Sequence, residues 1–243
     1  MKIPQLVVAF VFSALSVLPT NALVISEVLA NEVGSDTTGE WIEIFNNTGL
    51  TIDLSNYKIG DEETSGGTGA GESLFQFPAG ASIAPGAIQI VAVSATRFNT
   101  VYGFLPTCEF SSTDLTVPDL LIYSTWDPDG GMVNMANGND QAFILDGNDA
   151  LVDAVNWGNN SFLNPGISTT TATLDGQSYE RSNALTDSDT AADWVYGPAA
   201  ATATFRSTPG VVSIPEPSTW ALLGLGLAGL GIRQIRKLPS LKR

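Results

Sequence analysis

The chain has 243 residues, with 25 Asp and Glu against 10 Lys and Arg, no His and a single Cys, giving a formal charge of −15 at pH 7. That balance repels nucleic-acid phosphates. The missing histidine removes the usual general base, the usual activator of a nucleophile and the commonest transition-metal ligand. Cys108 has no partner within the chain for a disulfide.

At the N-terminus, Lys2 precedes an apolar stretch from Leu6 to Leu18, and Thr20-Asn21-Ala22 places small residues where signal peptidase cuts. Residues 1–22 therefore read as a signal peptide removed after Ala22, with the mature chain beginning near Leu23. Between Leu23 and Ile214 only Lys58, Arg97, Arg181 and Arg206 are basic, against 24 acids, so the exported body carries −20.

Residues 23–212 suffice for one hydrophobic core. Short apolar runs alternate with Gly, Asn, Asp, Pro and Ser, and no sustained 3.6-residue stripe appears. The expected strands are Leu23 to Leu29, Glu40 to Phe45, Thr51 to Ile59, Leu74 to Phe77, Ala87 to Val93, Gln141 to Leu145, Leu151 to Trp157 and Gln177 to Arg181. Phe75 and Phe77 share one face with Gln76 opposite, and Ile52 and Leu54 flank Asp53 in the same way, as in half-buried antiparallel strands. Asn46-Asn47-Thr48-Gly49, Pro85-Gly86 and Asp146-Gly147-Asn148-Asp149 supply turn chemistry. Thr64 to Gly71 reads as a mobile Gly-rich loop. The fold class is all-β, an antiparallel sandwich.

Several side chains invite a functional reading. Trp41 opens an apolar alternating run and reads as a core anchor. Glu43 shares its face, and either pairs with Arg181 or sits at a sheet edge, because a buried unpaired carboxylate is costly. Trp157 and Trp194 suit either a core or a carbohydrate-stacking surface, core being favoured. Calcium-ligand candidates are Asp61-Glu62-Glu63, Asp127 with Asp129, Asp140, and Asp146 with Asp149. None fits the twelve-residue EF-hand loop, and solvated acidic turns are the preferred reading. Asn46-Asn47-Thr48 and Asn159-Asn160-Ser161 match the glycosylation sequon but read as turns.

The C-terminus carries Pro215-Glu216-Pro217, a nearly uncharged run from Trp220 to Ile232, and then Arg233, Arg236, Lys237, Lys242 and Arg243. A proline-rich spacer stops regular structure, the apolar run partitions into a bilayer, and the cationic end resists translocation. The run is short of the ~20 residues of a comfortable span, and Gly224, Gly226, Gly229 and Gly231 permit close approach by another protein. This tail, residues 213–243, resembles the PEP-CTERM sorting signal of proteins exported by Gram-negative, often polysaccharide-producing, bacteria. The resemblance implies a transmembrane sorting helix, recognition and cleavage by the membrane enzyme exosortase, a membrane-anchored intermediate at the inner membrane, and a cell-surface or extracellular destination.

A second resemblance runs through the body. Val24-Ile25-Ser26-Glu27-Val28, Gly39-Glu40-Trp41-Ile42-Glu43-Ile44-Phe45-Asn46 and Ile52-Asp53-Leu54-Ser55-Asn56-Tyr57 resemble the opening strands of a lamin-tail domain. Phe77-Pro78-Ala79-Gly80, Ile83-Ala84-Pro85-Gly86, Asn139 to Asp146, Leu151 to Gly158, Ser178-Tyr179-Glu180-Arg181 and Thr208-Pro209-Gly210 continue it. The resemblance implies an immunoglobulin-like sandwich, usually an accompaniment to other activities rather than an enzyme. Residues 96–139 depart from it as a long insertion, and they are the first place to look for a binding surface.

Together these readings describe an exported, non-catalytic surface or matrix protein whose sandwich serves adhesion or assembly, with an extracellular polysaccharide or surface protein as partner and no cofactor unless calcium binds. The alternatives are a polysaccharide-binding module and a calcium-dependent carboxylate hydrolase; paired acids around a cleft would favour the hydrolase.

Overall fold

Alternating apolar residues build two sheets that close on one another. The computed structural model describes residues 23–34, 38–62, 72–158, 166–167, 174–196 and 207–214. The strands are β1 (Leu23–Leu29), β2 (Trp41–Asn46), β3 (Ile52–Asp53), β4 (Lys58–Gly60), β5 (Leu74–Gln76), β6 (Ser82–Ile83), β7 (Ile88–Ser94), β8 (Cys108–Ser111), β9 (Leu121–Ile122), β10 (Asp140–Leu145), β11 (Leu151–Trp157), β12 (Gly166–Ile167), β13 (Tyr179–Arg181) and β14 (Trp194–Tyr196). One helix, α1 (Ala95–Tyr102), lies between β7 and β8.

The first sheet runs β14-β13-β1-β2-β7-β8, the second β12-β11-β10-β4-β5-β9, and β3 pairs with β6 as a separate two-stranded ribbon. Ile25, Val28, Ile42, Ile44, Val91 and Val93 from the first sheet meet Ile59, Phe75, Ala142, Ile144, Val155 and Trp157 from the second in one core. The expected immunoglobulin-like sandwich is thus the observed one, with the inner faces of the two sheets sharing one core.

The first sheet is buried on its outer face too. Trp41, Leu29, Ile90 and Ala92 point outward and are covered by Phe98 of α1. The Trp41 ring meets Phe98 edge-on at 6.1 Å and donates from Nε1 to the Tyr102 hydroxyl at 3.2 Å. Eight residues carry too short a stripe for α1 to show in the sequence, but its ends are well specified. Ser94 caps the first turn by accepting from the Arg97 N–H at 3.2 Å, and Gly103 closes the last turn in the left-handed region, φ 79°.

Two expectations are corrected. Thr51 to Ile59 is not one strand. Asp53 accepts from the N–H and hydroxyl of Ser55, and this turn sends β3 to β6 and β4 into the second sheet. The insertion is a wall of the sandwich, with β8 parallel to β7 at the edge of the first sheet and β9 antiparallel to β5 at the edge of the second. Its later part is fastened by three successive donors: Asn134 N–H to Asp61, Met135 N–H to Glu40 and Ala136 N–H to Asp140.

Candidate functional site

The calcium candidates come apart in the structure. The Lys58 ammonium occupies the space beside Asp146 and Asp149, 2.6 Å from Asp149 Oδ1, 3.1 Å from the Asp146 carbonyl and 4.7 Å from the centre of the Tyr123 ring. That cation holds Asp149 below the usual carboxylate range, against its desolvation. Asp146 is lowered mainly by the N–H groups of Ala150 and Asn148. Asp127 accepts from the N–H groups of Gly130 and Gly131 and closes its own turn, whereas Asp129 is exposed. Asp61 spends both oxygens on the N–H groups of Ser73 and Asn134. Among the described residues no group of three or more Asp, Glu or Cys is arranged to hold a metal ion.

Trp41, Trp157 and Trp194 are all buried. Trp157 stacks on Tyr179 at 5.2 Å and donates to the Ala136 carbonyl at 2.8 Å. None of the three offers a face for stacking sugars. Asn46 is likewise buried, with its amide given to the carbonyls of Leu50 and Ile83.

Arg181 does not meet Glu43. Fully buried, it reaches across to the second sheet and pairs with Asp153 at 2.6 Å, with Asp187 at 3.1 Å and with Asp193 at 3.6 Å, and its guanidinium lies 4.7 Å from the Trp194 ring centre. The same pair serves the backbone of β1. Ile25 N–H donates to Asp153 at 2.7 Å, and the Ile25 carbonyl accepts from Arg181 Nε at 2.8 Å. Burial pushes the Asp153 carboxyl up, while Arg181 pulls it back.

Those bonds sit at a β-bulge. Ile25 opposes Ile44 and Glu27 opposes Glu43, so Ser26 is the extra residue. The bulge rotates Glu27 onto the outer face, directly opposite Glu43 on one side and Glu180 on the other. Three carboxyls therefore form a row across β2, β1 and β13. Glu27 and Glu43 are 1% and 0% exposed. Directly opposed residues have Cβ atoms ~5 Å apart, so like charges there repel.

What buries the row is the segment 207–213, which crosses the sheet as a strap. The Thr208 N–H donates to Glu27 Oε1 at 2.8 Å, the Thr208 hydroxyl reaches Glu180 at 3.1 Å, and the Gly210 N–H donates to Glu43 Oε2 at 2.6 Å. Ser26 supplies the other Glu43 oxygen with a hydroxyl at 2.7 Å. Ser207 bonds the Tyr102 hydroxyl, Val212 packs against Val24, Phe45 and Ala184, and the Ser213 carbonyl accepts from the Ala184 N–H. Desolvation pushes Glu27 up to about 8 and Glu43 to about 7, opposed by the donors from Ser178, Thr208, Ser26 and Gly210. Glu180 is raised by burial as well.

Residues 17–159, more than half of the chain, match the Lamin Tail Domain family. The chain belongs to that family. Residues 213–237 match the PEP-CTERM protein-sorting motif, which implies exosortase-dependent export to the cell surface through a membrane-anchored stage. A DUF4876 family protein from Bacteroides thetaiotaomicron VPI-5482 has a similar structure, with a TM-score of 0.51 and 14% identity over 81% of this chain and 75% of that one. At that identity the likeness is one of fold. No curated protein matches.

The lamin-tail match stops at 159, yet β13 and β14 belong to the first sheet and the strap lies on it. Ala22, Pro215, Glu216 and Pro217, the loop 64–71 and the sequon at 159–161 lie outside the described residues. Among the described residues no helix is long and apolar enough to cross a membrane.

Proposed function

We propose that this lamin-tail protein is a non-catalytic surface or matrix component, made with a leader spanning 1–22 and released from its membrane-held stage by exosortase cutting near Pro215-Glu216-Pro217. Residues 23–212 form the exported body, and residues 213–243 the sorting tail. The sandwich then acts as an adhesion or assembly module toward an extracellular polysaccharide or another surface protein. It works without a metal cofactor.

The observation that carries the reading is the junction between body and tail. The strap lies across three strands of the sandwich, and the matched sorting motif begins at 213, inside its last residues. A folded body and an address are thus joined without an intervening domain. The non-catalytic part is supported by where the acids spend their oxygens. Asp61, Asp127, Asp146 and Asp153 each accept from backbone N–H groups, and Asp149 is held by Lys58 and Tyr123. These acids act as fasteners, which suits a scaffold better than a hydrolase that needs paired carboxyls facing a cleft.

The test is fractionation of a host with and without its exosortase. The expected result is a surface or medium fraction in the first and inner-membrane retention in the second. Equal surface display in both would overturn the sorting assignment.

A further inference from the structure

We propose that the row Glu43–Glu27–Glu180 and the segment 207–213 form a proton-operated latch, docked in acid and released in base, that sets how far the sorting motif stands from the sandwich. It rests on the sorting role given above, but its mechanism is a property of the folded body alone.

Geometry makes the case. Three carboxyls on adjacent strands sit in direct register beneath the strap, which sets like charges side by side whenever they ionise. Among the described residues, the other groups facing the row do not neutralise it. From α1 comes Tyr102, bonded to Ser207 and Trp41, and beyond it Arg97, which is paired with Glu32. From β7 the residue opposite Glu43 is Ile90, and from β14 the residue opposite Glu180 is Val195. The strap itself, Ser207-Thr208-Pro209-Gly210-Val211-Val212-Ser213, carries no charge. Arg206 lies outside the described residues.

The strap thus removes water from the row without supplying a cation. Ionising all three carboxyls beneath it leaves like charges side by side in a dry site, and lifting it returns them to water. Proton loss and strap release are therefore linked. The raised positions of Glu27 and Glu43, about 8 and about 7, place the change near neutrality. Docking is fully supported below about 4.5, the ordinary value for these groups, and weakens as pH rises through their buried values.

Release matters because of reach. With the strap docked, the Ser213 carbonyl is tied to the Ala184 N–H at 2.8 Å, two residues before Pro215. Freed, residues 208–214 add ~20–25 Å of chain between sandwich and motif, room for a membrane enzyme to engage Pro215-Glu216-Pro217 without meeting the folded body.

Hydrogen exchange of the 207–214 peptide tests this on the purified, detergent-solubilised full chain between pH 5.5 and 8.5, corrected for intrinsic exchange and referred to the β10 peptide. Strap protection is expected to fall about tenfold or more relative to β10, since each unit of pKa shift corresponds to a factor of ten. In E27Q/E43Q the profile is expected to be flat. E180Q, at the more exposed end of the row, flattens it in part, so the answer does not hang on the folding of the double variant. Protection that is constant with pH in the unaltered chain overturns the latch, as does an unchanged slope in the variants. Failure of the sorting role shows separately, as exosortase-independent localisation with the exchange result intact.

Discussion

Two buried clusters of charge lie on opposite faces of the first sheet, and they solve the same problem in opposite ways. Toward the core, Arg181 is matched by Asp153, Asp187 and Asp193, and the ion pair also satisfies the backbone of the bulge at Ile25. On the outer face, Glu43, Glu27 and Glu180 have hydroxyl and N–H donors and, among the described residues, no cation. A matched cluster ties the two sheets together. An unmatched one ties down a segment only while it keeps protons, so the two respond to substitution with opposite sign.

The sharpest way to break that contrast is Asp153→Ala. It leaves the guanidinium without its nearest partner and the Ile25 N–H unpaired, and we expect a loss of ~3–5 kcal/mol in urea unfolding. A loss below ~1 kcal/mol would mean that Asp187 and Asp193 suffice. Next in size is the pH response. The row carries raised carboxyls, so its contribution is present below about 4.5 and lost as pH rises through about 7 and 8. We expect stability to drop by ~2 kcal/mol or more between pH 5 and 8.5, and E27Q/E43Q to remove the row's share of that drop while leaving the share of Asp153, whose buried carboxyl is raised to about 7. Gly210, at φ 87°, is a smaller probe. Gly210→Ala strains the left-handed turn by ~1 kcal/mol and is expected to raise exchange in the strap while leaving β10 and β11 unchanged. The smallest expected effect is that of calcium. With Lys58 seated between Asp146 and Asp149, millimolar calcium or a chelator is expected to leave the thermal midpoint within ~1 °C, whereas a clear rise would restore those acids as ligands.

The strand pattern was legible because alternation sets burial directly. Leu23 to Leu29 and Leu151 to Trp157 coincide with β1 and β11. The short elements β3, β6, β9 and α1 depend on turns and caps rather than periodicity, so they left little trace. Glu43 was recognisably odd, since it shares the Trp41 face, but its neighbours were not readable. Strict alternation from Ile25 puts Glu27 on the inner face, and only the extra residue at Ser26 turns it outward. The partner of Arg181 was hidden for a related reason, because Asp153 lies on the other sheet, 28 residues away. Long-range contacts fixed by a bulge and by the packing of two sheets carry no local signal.

The intact mass of the product recovered from the cell surface tests the central claim most directly. The expected product is a chain that begins near Leu23 and ends close to Pro215-Glu216-Pro217, with the tail retained only when exosortase is absent. A surface form that still carries residues beyond Pro217 would contradict cleavage, and a full-length chain in the cytosol with its leader attached would contradict export.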